Sequence, residues 1–140
     1  MTLKDETIKL KISKALSILP EVKVLMENKF YTTAISRLYY SCFHATKALL
    51  LTKDLMPKTH KGTSTLLYEH FVKSGLFHSD KCTFFNNLMH ERIEDDYNDY
   101  MINDQEQIIH FINPGKDYVD YVSKLIDAYF DAQSTNSTSE

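Results

Sequence analysis

Within eight residues the chain carries an arginine, a tyrosine, a serine and a histidine: Arg37, Tyr40, Ser41 and His44. On a helix, residues seven apart project within about 20° of each other, about 10 Å along the axis. Arg37 and His44 should therefore face one way, with Tyr40 and Ser41 between them. A guanidinium is a fixed fork of donors suited to phosphate oxygens, and an imidazole titrates near neutrality. Such a stripe can hold a phosphate and move a proton. The plainer alternatives stay open: a partly buried His44 satisfied by a tyrosine or a backbone group, and an Arg37 that pairs with an acid to lock two helices.

A second cluster runs from His90 through Glu91, Arg92, Glu94, Asp95, Asp96 and Tyr97 to Asp99 and Tyr100. Residues 91–106 hold seven acids and one arginine. Arg92, Asp96, Asp99 and Tyr100 share one helical face; Glu91, Asp95 and Asp99 share its neighbour. A carboxylate ladder can hold Mg²⁺ through water, but it is more often a solvated face. Asp95 and Asp96 are candidate partners for Arg37 or Arg92. Cys42 and Cys82 lack the CxxC or CxxH spacing of a zinc site and read as reduced thiols. No metal site and no cofactor is expected.

The elements that must position these residues are helical. In 140 residues there are only three Gly and three Pro, against nine Tyr and eight Phe. A β-sandwich or barrel needs turn residues at short intervals, and six cannot supply them. Thr2 or Asp5 can cap a first helix whose apolar positions run from Leu3 to Leu19. Pro20 should kink or restart it, and Val22 to Met26 carry it to Asn28.

Residues 31–53 follow the i, i+3, i+4, i+7 pattern from Ala34 to Leu50 almost without fault, until Met56-Pro57-Lys58. A third helix spans about 60–74, with Leu66, Leu67, Phe71 and Val72 inward and Gly75 as a left-handed cap. A fourth runs from Ser79 or Asp80 to about Tyr100 on a stripe of Phe84, Phe85, Leu88, Met89 and Ile93. A short fifth segment, 108–112, should stop at Asn113-Pro114-Gly115, and a last helix covers 118–130. The expectation is an all-α, up-and-down bundle of five to six helices, one domain over 1–132, with a disordered Ser/Thr/Asn-rich tail over 133–140.

A net charge of −3 argues against nucleic-acid binding through bulk charge. The charge is uneven, though: residues 1–58 carry ten Lys/Arg against five Asp/Glu, and residues 59–140 six against fourteen. A local basic surface on an acidic protein is possible; so is attraction between two helical faces. No apolar run reaches membrane-spanning length, and acids stand where a signal peptide would be basic. A cytoplasmic protein without a membrane partner is expected.

Ala34-Ile-Ser-Arg-Leu-Tyr-Tyr-Ser-Cys-Phe-His-Ala-Thr-Lys-Ala-Leu-Leu50 resembles the signature helix of the HEPN superfamily of small helical domains. Lys58-Thr-His-Lys-Gly-Thr63, His70-Phe-Val-Lys-Ser-Gly-Leu76 and Arg92-Ile-Glu-Asp-Asp-Tyr97 follow in the order of its stand-alone prokaryotic branch. The likeness covers roughly residues 3–130. It implies a helical bundle, commonly a homodimer, often paired with a minimal nucleotidyltransferase in toxin–antitoxin systems. It also implies one of two activities. One is a module that binds a nucleotide, RNA or the nucleotidyltransferase through Arg37, Tyr40, His44, Arg92 and Tyr97. The other is a metal-independent RNase with Arg37, His44 and Arg92 as catalytic residues at a dimer cleft.

The family's nuclease motif is Arg-x(4–6)-His. Arg37 and His44 meet that spacing, but on the second helix, where the family usually carries it on a later one. At the later position Arg92 is followed by Tyr97, with no histidine until His110. By analogy with family members adenylylated near this motif, Tyr97 is the tyrosine open to modification.

Overall fold

The computed structural model describes the backbone of residues 1–97 and 105–138, and the side-chain surroundings of 1–92 and 106–135. Among these residues the α-helices are α1 (Leu3–Glu27), α2 (Tyr31–Leu51), α3 (His60–Leu67), α4 (Ser79–Tyr97) and α5 (Gln105–Thr138). No strand occurs among the described residues, so the chain is an all-α bundle. Arg92 to Tyr97 close α4, but the side chains of Ile93, Glu94, Asp95, Asp96 and Tyr97, and all of Asp99 and Tyr100, lie outside the described residues.

Thr2 and Asp5 cap α1 together rather than as alternatives. The Thr2 hydroxyl accepts from the Asp5 amide at 3.1 Å, and the Asp5 carboxylate accepts from the Thr2 amide at 3.4 Å. This reciprocal box satisfies two of the helix's orphan amides. Residues 28–30 then fold α2 back along α1. The α2 helix is central, touching α1, α3, α4 and α5. It buries Ala34, Ile35, Leu38, Tyr39, Cys42, Ala45 and Leu49 among others, as its periodicity predicts.

Two expected breaks are absent. Helix α1 continues through Pro20 without a restart. Pro20 and Leu16, whose carbonyl loses its i−4 donor, both face solvent, so water can satisfy that oxygen, and packing on α2 holds the rest. Likewise α5 runs unbroken through Pro114, so the short fifth segment and the last helix are one element. Pro114 and His110 are exposed in the same way.

Gly115 is therefore no stop signal. A Cβ there would lie 2.6 Å from Leu38 Cδ1, so glycine permits α5 to cross α2 at close range. The backbone also stays helical from Gln133 to Thr138, where the composition suggested a tail.

Helix α3 ends earlier than the pattern predicts, passing into a π turn over Tyr68–Val72 before Gly75 closes it at φ 79°. Leu67 and Phe71 are buried and Leu66 and Val72 half-buried, as expected of the inward face. Cys42 and Cys82 are both buried free thiols.

Candidate functional site

The face of α2 that carries the candidate residues is divided between its neighbours. Toward α1, Ser41 is buried and donates to the Ala15 carbonyl at 2.6 Å. It ties two helices together and does not belong to an open stripe. Arg37 meets Glu21 of α1 through Nη2 at 2.8 Å and Nε at 3.1 Å, both on one carboxylate oxygen. That carboxylate is a partner the sequence did not single out.

Toward α3 and α4, the Arg92 guanidinium donates to the Tyr40 hydroxyl at 2.8 Å. It lies 4.9 Å from the Tyr40 ring centre and 5.6 Å from that of Tyr39, within cation–π range of both. Tyr39 is fully buried, and its hydroxyl stands 2.6 Å from His60 Nδ1. Burial drives the phenol far above its ordinary value despite Arg92 nearby, so it keeps its proton. Burial, then the Arg92 and Lys47 charges, push His60 down. Both groups are therefore neutral, and the Tyr39 hydroxyl and His60 Nδ1 share one hydrogen bond. Phe43 closes the cluster, 4.5 Å from the His60 ring.

Between these two seams sits His44, half-buried, its ring 6.4 Å from that of Tyr40 and 6.0 Å from that of Phe43. Burial holds its pKa at about 4, aided by Lys14, Lys11, Lys47 and Arg37 in that order. At neutral pH the imidazole is therefore uncharged. Arg37, Tyr40, His44 and Arg92 are thus brought to one side of the bundle around α2. Tyr97 ends α4, five residues beyond Arg92, and its side chain lies outside the described residues.

Besides Glu21, four contributors escaped sequence reasoning. His60 lies in the Lys58-Thr-His-Lys-Gly stretch, but nothing local ties it to Tyr39. Lys11, Lys14 and Lys47 look like ordinary solvated lysines singly. The available signal was Lys47, three residues after His44 on the same helical face. Among the described residues no three His, Cys, Asp or Glu side chains converge to hold a metal ion. Nor is any described helix long and apolar enough to cross a membrane.

Comparison with known proteins bears on what this surface belongs to. The chain is 28% identical over 127 residues to a UPF0332 protein of Thermotoga maritima, covering 91% of this chain and 96% of the relative. It is 31% identical over 115 residues to a Methanocaldococcus jannaschii protein named "Putative toxin MJ0142", covering 82% and 78% of the two chains. A second protein of that organism, "Putative toxin MJ0605", is 46% identical over 70 residues, half of each chain. The HEPN domain family model matches residues 8–129, which take in α2, the Lys58–Thr63 stretch and Arg92 to Tyr97. With nearly the whole bundle inside that match, the chain belongs to the HEPN domain family.

Proposed function

We propose that this protein is the HEPN member of a toxin–antitoxin-type pair, a cytoplasmic homodimer that binds a nucleotide or RNA along the α2 ridge. Arg37, Tyr40 and His44 form the contact surface, with Arg92 and Tyr97 at its edge. The observation that carries this function is the field around His44. Three lysines, and Arg37 beside its Glu21 partner, act on one half-buried imidazole, on a chain whose net charge is −3. A cleft or ridge of one sign concentrates ligands of the other, and phosphate chains suit spaced cations.

The two relatives named as toxins support the biological setting. A minimal nucleotidyltransferase is the protein partner, and Tyr97 the residue it would adenylylate. The test is titration of the purified chain with a labelled RNA oligomer at rising salt. Binding should weaken steeply with salt and fall about tenfold in Arg92→Lys, which loses the planar fork. RNA that stays unbound at low salt would overturn the proposal.

A second activity is favoured by one feature of the same site: His44 is neutral at physiological pH and can accept a proton. In a metal-independent RNase, His44 would take the ribose 2′-hydroxyl proton. The freed oxygen would then bond phosphorus as the bond to the 5′-oxygen breaks, and that oxygen would take a proton from water. Arg37 or Arg92 would steady the phosphate. Cleavage of RNA in the presence of EDTA, abolished by His44→Ala, is the expected result. Its acid limb should fall near pH 4 rather than near 6.5.

A further inference from the structure

Helix α1 is apolar on two faces, and the bundle uses one of them. Ile8, Ile12, Ala15, Ile18 and Val22 are buried against its neighbours. On the outer side Leu3, Leu10, Ser17 and Val24 recur every seven residues, each step turning by only about 20°. Leu3 is 79% exposed, Leu10 72% and Val24 56%. Single exposed leucines are ordinary, but apolar residues in heptad register along one helix make a seam on which a second helix packs.

The two halves of this face differ in shape. In the N-terminal half Leu3 and Leu10 stand out into solvent. In the C-terminal half a groove of about 570 Å³ opens between α1 and α2, lined by Pro20, Val24, Leu25 and Thr33 with the Glu21–Arg37 pair. Phe30, 60% exposed, stands at the α1–α2 corner that follows. Knobs at one end and a hole at the other, on one face, are self-complementary about a two-fold axis. Ser17 marks that axis, because Leu10 and Val24 lie seven residues to either side of it. Antiparallel α1 helices crossing there bring the partner's Leu10 to Val24 and its groove, and the partner's Leu3 toward the corner at Phe30.

Charge follows the same symmetry. Lys14 lies three residues before Ser17 and Glu21 four after it, so each copy's Lys14 faces the partner's Glu21. A parallel pair would set Leu10 on Leu10 and Lys14 on Lys14, leaving both grooves empty. From Leu3 to Val24 the seam runs about 32 Å along a helix about 10 Å wide. With the corner included, each copy gives up several hundred Å², roughly the area of a reversible dimer rather than an obligate one.

We infer that a second copy of this chain docks antiparallel on the outer face of α1, with Leu10 of each copy seated in the groove between α1 and α2 of the other. The inference rests on the homodimer of the proposed function and gives that dimer a face. Because Arg37 lines the groove, the two α2 ridges then flank the seam.

Sedimentation of the full chain between about 1 and 100 µM should show a monomer–dimer equilibrium. Leu10→Glu puts a carboxylate into each groove and should weaken the dimer at least about a hundredfold. The monomer's melting temperature should not move, since Leu10 faces water there. Ser17→Cys, on the axis, should join two copies through a disulfide under mild oxidation with copper phenanthroline. Lys23→Cys, about 120° around the helix from Ser17, should not, and the native Cys42 and Cys82 are buried. A dimer that Leu10→Glu leaves intact, or that Ser17→Cys fails to cross-link, overturns the inference and leaves the homodimer standing. A chain that stays monomeric throughout this range overturns both.

Discussion

Two polar seams flank α2, and they are built from different materials. On the α1 side, Arg37 and Glu21 pair at 2.8 Å with their side chains 40% and 55% exposed. On the α3–α4 side, the Arg92 guanidinium lies over two tyrosine rings and donates to one hydroxyl, while the other, fully buried, ends on His60. The first seam couples formal charges in water, where their attraction is weak and screened. The second couples a cation, two hydroxyls and four rings in a drier setting, where each lost partner leaves a polar group uncompensated. By spacing alone the two arginines look equivalent. Their surroundings make them unequal supports of the fold.

The contrast is broken most directly at Arg92. Truncation to alanine removes two cation–π contacts and the donor to Tyr40, and should cost about 2–3 kcal/mol in denaturant unfolding. Lysine at this position should recover less than half of that, because an ammonium cannot lie flat on both rings while reaching the hydroxyl. A loss below about 1 kcal/mol for the alanine variant would erase the difference between the seams. Tyr39→Phe is the next test. It keeps the buried ring but removes the hydroxyl partner of His60 Nδ1, and should cost about 1–2 kcal/mol. Because His60 would then be freer to protonate, its titration by NMR should move upward toward the ordinary histidine range.

Much of the fold was legible because helical periodicity reports burial directly. The α2 pattern from Ala34 to Leu50 returned as the central buried face, and Gly75 returned as a left-handed cap. What misled was punctuation. Pro20 and Pro114 read as breaks, yet each sits where the undonated carbonyl faces water, a fact no local sequence shows. Gly115 read as part of a stop, but its reason is Leu38, 77 positions away and pressed against its α-carbon.

The site was legible in part. Arg37, Tyr40, His44 and Arg92 came from spacing and from the family pattern. Glu21, His60 and the lysines of α1 are partners from other elements, so only tertiary packing introduces them. Ser41 shows the reverse error: it shares the helical face of Arg37, and α1 covers it.

His44 stands between the seams, and acid should expose its position. Its folded pKa of about 4 lies below the ordinary value of 6.5, so the unfolded chain takes up the proton first as pH falls. Stability therefore rises with pH through this window: it is full above about pH 6.5 and declines toward pH 4. Discounted for the partial exposure of the ring, the loss is of the order of 1 kcal/mol. His60 is displaced in the same direction and adds to the slope. His44→Asn should flatten the melting temperature between those pH values, with the remaining slope assigned to His60. A profile identical to wild type would mean that His44 is not displaced from its ordinary value, by burial or by the neighbouring cations.

The smallest effect is expected at Arg37, and its smallness is what the comparison turns on. An exposed pair such as Arg37–Glu21 is worth at most about 1 kcal/mol, so Arg37→Ala should shift unfolding by less than that and lose most of its effect in high salt. A double-mutant cycle with Glu21→Gln isolates the pair from the packing of the long side chain. If the coupling exceeds about 2 kcal/mol, the α1 seam is a structural lock and Arg37 is committed to it. A coupling near zero leaves the guanidinium able to exchange a carboxylate for a phosphate at little cost. Glu21→Gln should then strengthen RNA binding, since it removes the acid that pairs with Arg37 among the described residues. The same substitution that barely changes stability would thus change affinity, which a purely structural pair could not do.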